Sequence, residues 1–197
     1  MKPNRYKKDL YHKKAVEKGY RSRAAFKLIQ IDDKYNILKN ARRILDLGCA
    51  PGSWLEVIIK RTKNKPTKII GIDQTRTSSI PGAKILKMDV FSKKVEKMIE
   101  NEVPEGFELI ISDMAPNTTG NRSTDSARSF TLAERAFNLA RKYLIKNGDF
   151  VAKIFHSPDL KVLIQMMTPY FKEIHSYKPK ASRKNSREIY IIALTKN

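Results

Sequence analysis

A chain of 197 residues with 41% hydrophobic content can bury one substantial core, and a single domain over residues 1–197 is expected. Forty Lys and Arg against twenty Asp and Glu leave a formal charge of +20, which favours a polyanionic partner, above all nucleic acid; no apolar run approaches bilayer-spanning length, which argues against a membrane protein. The single cysteine, Cys49, excludes an intramolecular disulfide framework, and three scattered histidines give no metal-ligand spacing, so no metal is expected; a reducing, cytoplasmic setting fits, with a mitochondrial one as the alternative.

Residues 1–23 form a basic segment with nine Lys or Arg against two acids, interleaved with Tyr6, Tyr11 and Tyr20. It reads either as an RNA-binding arm or as a solvated, partly disordered leader, and it lacks the apolar stretch of a secretory signal. Ser22 has the character of an N-cap, and Ala25, Leu28, Ile29 and Asp32 recur at helical spacing over Ala24–Tyr35. From Arg43 onward short apolar runs alternate with amphipathic stretches. The predicted strands are Arg43–Leu47, Lys68–Asp73, Ala83–Met88, Phe107–Ser112, Asp149–Phe155, Phe171–Tyr177 and Glu188–Leu194. Helices are predicted at Ser53–Arg61, Lys93–Asn101, Ser129–Leu144 and Ser157–Met167. Such alternation implies a mostly parallel sheet with helices on both faces. The polar loop Lys178–Arg187 has no room for a crossover helix, so the last two strands should pair antiparallel.

The first strand runs into Asp46-Leu47-Gly48-Cys49-Ala50-Pro51-Gly52-Ser53-Trp54. Glycines there let the backbone turn and approach a ligand at the carboxyl edge of the sheet. The spacing is not the dinucleotide pattern G-x-G-x-x-G, and Pro51 lacks a donor that a pyrophosphate would use. A cofactor without phosphates fits better, and S-adenosylmethionine, with amino-acid, ribose and adenine parts, is the expected one. Asp73 ends the second strand, where a carboxylate can accept ribose hydroxyls, and Asp89 follows the third, within reach of an adenine amino group; either alone reads equally as a turn-forming Asp. Trp54 contacts the cofactor or packs the first helix. Asp113–Arg128, with Pro116, Asn117 and Gly120, reads as a mobile active-site loop or an ordinary polar crossover.

Together, Arg21-Ser22-Arg23-Ala24-Ala25-Phe26-Lys27-Leu28, the Asp46–Trp54 loop, Ser112-Asp113-Met114-Ala115-Pro116-Asn117, Val151-Ala152-Lys153, Ser182-Arg183 and Ser186-Arg187-Glu188-Ile189-Tyr190 resemble the FtsJ family of ribose 2'-O-methyltransferases, in the family's order. The resemblance implies a Rossmann-like α/β fold with a seven-stranded, mostly parallel sheet containing one antiparallel strand. It also implies a catalytic tetrad of Lys27, Asp113, Lys153 and Glu188, and cofactor contacts from Gly52, Trp54, Asp73, Asp89 and Asp113. After Asp73 this chain carries Gln74-Thr75-Arg76-Thr77, where bacterial members usually have apolar residues. The Ser112–Asn117 string is similar to bacterial and mitochondrial members. It thereby implies large-subunit rRNA as substrate; the family implies a uridine of the A-loop within a ribosomal particle, and a monomer is expected. A tRNA methyltransferase is the alternative within the family, and a non-catalytic RNA-binding assembly factor the alternative outside catalysis.

The chemistry the residues suggest is consistent with this. A ribose hydroxyl is a poor nucleophile near neutral pH, so a base must take its proton, and Lys153 can do so when uncharged. Lys178, Lys180, Arg183, Lys184 and Arg187 lie just before Glu188 in sequence, where RNA phosphates would need them, although a charge run is more often a solvated face.

Overall fold

A computed structural model of the protein describes residues 10–197; the first part of the basic leader, residues 1–9, lies outside the described residues. Seven strands, β1 (Arg43–Leu47), β2 (Lys68–Asp73), β3 (Lys84–Lys87), β4 (Phe107–Ser112), β5 (Leu144–Phe155), β6 (Phe171–Tyr177) and β7 (Glu188–Lys196), form one sheet in the order β3-β2-β1-β4-β5-β7-β6. The pairs among β1 to β5 are parallel, and β7 runs antiparallel between β5 and β6. This is the expected α/β architecture with one reversed strand, and the short loop before β7 imposes the reversal.

Six helices flank the sheet: α1 (Leu10–Glu17), α2 (Ala25–Tyr35), α3 (Ser53–Thr62), α4 (Lys93–Glu102), α5 (Arg122–Tyr143) and α6 (Asp159–Met167). Leu28 and Ile31 of α2 and Leu55 and Ile58 of α3 pack with Ile44, Ile111, Val151 and Ile192 on one face. On the other, Ile99 of α4, Phe137 of α5 and Leu163 of α6 meet Leu45, Ile110, Phe150 and Ile191. Strand neighbours thus point to opposite faces, and each fully buried Leu, Ile or Phe contributes about 1.5–3 kcal/mol relative to exposure. No described helix is long and apolar enough to cross a membrane.

Several boundaries differ from those expected. Residues Leu10–Glu17, within the leader, are helical, and Ala15 packs with Phe26 and Ala181. Ser22 is not the N-cap of α2; that position is Ala24, without a side-chain cap, while Ser22 Oγ accepts the Ala24 N–H and sits 2.8 Å from Ser53 Oγ. Helix α5 starts at Arg122 rather than Ser129, because Asn121 caps it by accepting the N–H groups of Ser123 and Thr124. The irregular stretch after Asp113 therefore stops at Asn121. Strand β5 begins at Leu144, which pairs with Phe107 ahead of a register shift.

Candidate active site

Strand alternation decides which polar side chains share a face. Val151, Tyr190 and Ile192 all pack on the side covered by α2 and α3, so Lys153 and Glu188, each two residues from one of them, fall on that side as well. The antiparallel register sets Lys153 opposite Tyr190 and Phe155 opposite Glu188. Lys27 comes down from α2 onto the same face. Asp113 directly follows β4, where Ser112 is level with Ala152, and this brings it beside Lys153.

The four ionisable residues expected to act together are thus in mutual contact. Lys153 Nζ lies 2.9 Å from Asp113 Oδ1 and 4.0 Å from Glu188 Oε1, and Lys27 Nζ donates to Glu188 Oε2 at 2.8 Å. Lys153 also donates to the Asp113 main-chain carbonyl. Both ammonium groups are buried, at 4% and 9% side-chain exposure, and charges so placed require partners of this kind. Burial acts to raise the Asp113 pKa, but Lys153, Lys27 and the Tyr190 hydroxyl outweigh it and hold the carboxyl below its ordinary value. Tyr190 donates to Asp113 Oδ1 at 2.7 Å; burial first, then Asp113 and Glu188, push its phenol well above the usual range and keep it a donor. Tyr190 was not singled out in the sequence as a site residue. Its signal is the period-two spacing from Glu188.

Two clefts border this cluster, one through Asp113 and the other through Lys27 and Glu188. One, of about 650 Å³, is lined by Gly48, Ala50, Asp73, Gln74, Phe91 and Asp113, among others. Gly48 adopts φ +78°, and a Cβ there would lie 2.7 Å from Met114 Cγ, so glycine is required for the loop after β1 to fit under the loop after β4. The other cleft, of about 540 Å³, is lined by Arg23, Lys27, Thr118, Arg183, Arg187 and Glu188, among others. Asn117 lines the first and Thr118 the second, so the loop after β4 forms the wall between them.

The residues expected at the cofactor divide. Asp73 and Asp113 face the first cleft. Asp73 also joins two loops, since Oδ2 accepts the Ala50 N–H at 2.9 Å and Oδ1 the Thr75 N–H at 2.7 Å. Asp89 is exposed beside the cleft, where its Oδ1 accepts from Gln74 Nε2 and from the Phe91 N–H. The polar residue that departs from the family pattern, Gln74, thus braces Asp89. Of the two roles open to Trp54, its side chain takes packing: it is 3% exposed, donates to the Ala24 carbonyl at 2.9 Å, and lies 5.8 Å from the Tyr190 ring. Gly52 is buried beneath Ile80 and Arg21 instead of lining the cleft. One further acid lies close to Asp73 and Asp113. Asp46 is fully buried at the end of β1, and neither carboxylate oxygen has a hydrogen-bond partner among the described residues. A carboxylate inside an otherwise apolar strand is the signal that marks it.

The chain has counterparts among known proteins in sequence and fold. A solved crystal structure from Plasmodium falciparum, described as a ribosomal RNA methyltransferase, superposes with a TM-score of 0.83 at 33% identity, over 90% of this chain and 98% of that one. A curated relative in Novosphingobium aromaticivorans, named ribosomal RNA large subunit methyltransferase E, is 42% identical over 94% of this chain and 82% of its own. The relative of that name in Parvibaculum lavamentivorans is 38% identical over 94% of this chain and 76% of its own. The family model described as FtsJ-like methyltransferase matches residues 20–196, and with these relatives it shows that the chain belongs to the FtsJ-like methyltransferase family.

Proposed function

We propose that the protein transfers a methyl group from S-adenosylmethionine to a ribose 2'-hydroxyl of large-subunit rRNA, at a uridine of the A-loop within a ribosomal particle. The observation that carries this reading is the contact of Lys27, Asp113, Lys153 and Glu188 in a cluster that both clefts border. The names of the relatives favour large-subunit rRNA over tRNA.

The first cleft suits the methyl donor in size and charge. Its volume falls within the range of small-molecule sites. Asp73 and Asp113 line it, and two carboxyl groups so placed favour a cationic sulfonium over a pyrophosphate. Asp73 is the residue to hold ribose hydroxyls, and Phe91 and Val90 offer an apolar wall for a purine. Gly52 and Trp54 would contribute through the backbone of their loop, and Asp89 from the rim. When bound, the donor supplies an electrophilic methyl carbon.

In the reaction Lys153, once uncharged, would take the 2'-hydroxyl proton as the ribose oxygen attacks the donor's methyl carbon. Transfer would leave the carbon–sulfur electron pair on the departing S-adenosylhomocysteine, held in the cleft that Asp73 and Asp113 line. Asp113 fixes Lys153 through both its carboxylate and its carbonyl, so the nitrogen is aimed before substrate arrives. Glu188 anchors Lys27 alongside, and Tyr190 fixes the Asp113 carboxylate. The four charges form one coupled set, so kinetic pKa values would belong to the set.

Incubation with S-adenosylmethionine and either intact large subunits or tRNA, followed by mass-spectrometric mapping of ribose methylation, tests the substrate. Equal labelling of every RNA would sink the rRNA reading. Lys153→Ala should lose about 10²–10⁴-fold in transfer rate while binding S-adenosylhomocysteine as the parent does; undiminished transfer by this variant would remove Lys153 as the base.

A further inference from the structure

The sequence places Arg21 in the basic leader, which reads as an RNA-binding arm or as a solvated segment. The structure turns it inward. Arg21 Nε donates to Glu56 Oε1 at 3.1 Å and its main-chain N–H to Oε2 at 3.0 Å, which fixes it to α3. Its Nη1 donates to the Pro51 carbonyl at 2.9 Å and to the Ser78 carbonyl at 3.2 Å, and its Nη2 to the Ser79 carbonyl at 3.3 Å. One bond from Nε, two from Nη1 and one from Nη2 leave a single N–H of the guanidinium's five for anything else.

Pro51 belongs to the loop after β1, and Ser78 and Ser79 to the irregular segment joining β2 to β3. These loops supply Ala50, Gln74 and Thr75 to the wall of the first cleft. They are tied twice, by groups of opposite charge. On the cleft side the Asp73 carboxylate gathers their N–H groups, from Ala50 and Thr75. Away from it the Arg21 guanidinium gathers their carbonyls. Gly52 fits this arrangement, because at φ +109° a Cβ there would lie 2.4 Å from Ile80 Cδ1 and 3.3 Å from Arg21 Nη1. A side chain at position 52 would hold both the arginine and the β2–β3 segment away.

We infer that Arg21 is a positioning residue for the methyl-donor site, clamping the loops after β1 and β2 into one wall, and that its guanidinium serves the donor and not RNA phosphate. The planar fork is what the site uses, since one lysine ammonium cannot reach Glu56 and three carbonyls in different directions. The inference rests on the first cleft being the donor site, and the tests below separate the two.

Titration calorimetry of the full chain with S-adenosylhomocysteine is run on the parent and on Arg21→Ala, Arg21→Lys and Glu56→Gln, beside filter binding to an rRNA fragment across a salt series. Arg21→Ala should weaken S-adenosylhomocysteine about 10-fold or more, as expected for lost charge-assisted bonds. Its KM for the donor should rise more than its kcat falls. Arg21→Lys should lose nearly as much donor affinity despite keeping its charge, and Glu56→Gln should shift in the same direction by less. RNA affinity and its salt dependence should stay within about twofold of the parent in all three. Donor affinity within twofold of the parent in both Arg21 variants overturns the inference, as does a loss of RNA affinity with a shallower salt dependence in Arg21→Ala. A parent chain that does not bind S-adenosylhomocysteine overturns the donor reading itself. If Arg21→Ala fails to fold, as thermal melting would reveal, the lysine and glutamine variants carry the same comparison.

Discussion

At the scale of single residues, Asp46 shows how a buried acid reads out in stability. Burial, and then the nearby Asp113 and Asp73 carboxyls, raise its pKa well above the ordinary value. The native state therefore keeps a proton that the unfolded chain releases near pH 4. A group with a raised native pKa supports folding fully below that unfolded value, and the support is lost as pH climbs toward the native pKa. Asp113 has the opposite sign, since its native pKa is lowered and its contribution is lost on acidification. Asp46→Asn should therefore melt higher than the parent at pH 8, with the gap closing toward pH 4. Calorimetric melting of both proteins across that range checks this, and parallel curves would refute it. The set of Lys27, Asp113, Lys153 and Glu188 was legible in the sequence through the family resemblance that their motifs carry, and the structure brings the four together. Their hydrogen-bond partners were not legible there. Tyr190 gains its role from lying opposite Lys153 in an antiparallel register, and Arg21 from a loop more than fifty positions away in sequence, and neither relation is written locally.

At the scale of elements, strands were read more accurately than helix starts. The limits of β1, β2, β4 and β6 coincide with those predicted, and in β1, β2 and β4 the apolar residues are all buried. Helix α5 opens with Arg122-Ser123-Thr124, all exposed, and carries no apolar periodicity there to announce it. Strand β5 hides its start in Lys146-Asn147-Gly148, which reads as a turn, and Asn147 indeed takes φ +63°. The early start of α5 matters to the site. It confines the irregular wall between the clefts to a short span, tied down where buried Asp125 accepts the N–H groups of Thr119 and Gly120. Asn121 holds the helix end that carries Asp125. Removing the cap in Asn121→Ala should cost about 1 kcal/mol. For a chain of this size that is roughly a 2–4 °C fall in Tm. Amides of residues 118–121 should also exchange faster by mass spectrometry, and unchanged exchange there would mean that the wall is held by other contacts.

At the scale of the whole molecule, charge is sorted between the two clefts. Asp73 and Asp113 line the proposed donor cleft, while Arg23, Arg183 and Arg187 line the other cleft and Lys180 and Lys184 stand exposed on the same loop. On the proposed reading, a polyanion would be drawn toward the cleft lined by these arginines, the side from which a ribose would reach Lys153. The net charge of +20 alone would produce salt-sensitive RNA binding at many surfaces, so the informative quantity is how the salt dependence changes on local neutralisation. Each lost phosphate contact lowers the slope of log K against log salt by roughly 0.7 for single strands and 0.9 for a duplex. The double variant Arg183→Ala, Lys184→Ala should therefore bind an rRNA fragment more weakly and with a slope smaller by about 1.4–1.8. Its affinity for S-adenosylhomocysteine should match the parent, because neither side chain lines the donor cleft. A parent slope near zero would remove phosphate contacts from the account altogether, and an unchanged slope in the double variant would move them to another basic surface. Because Arg21 spends its donors on protein carbonyls, the same salt series should leave the slopes of its variants untouched, so the two arginines, both read from sequence as part of one basic character, separate in a single experiment.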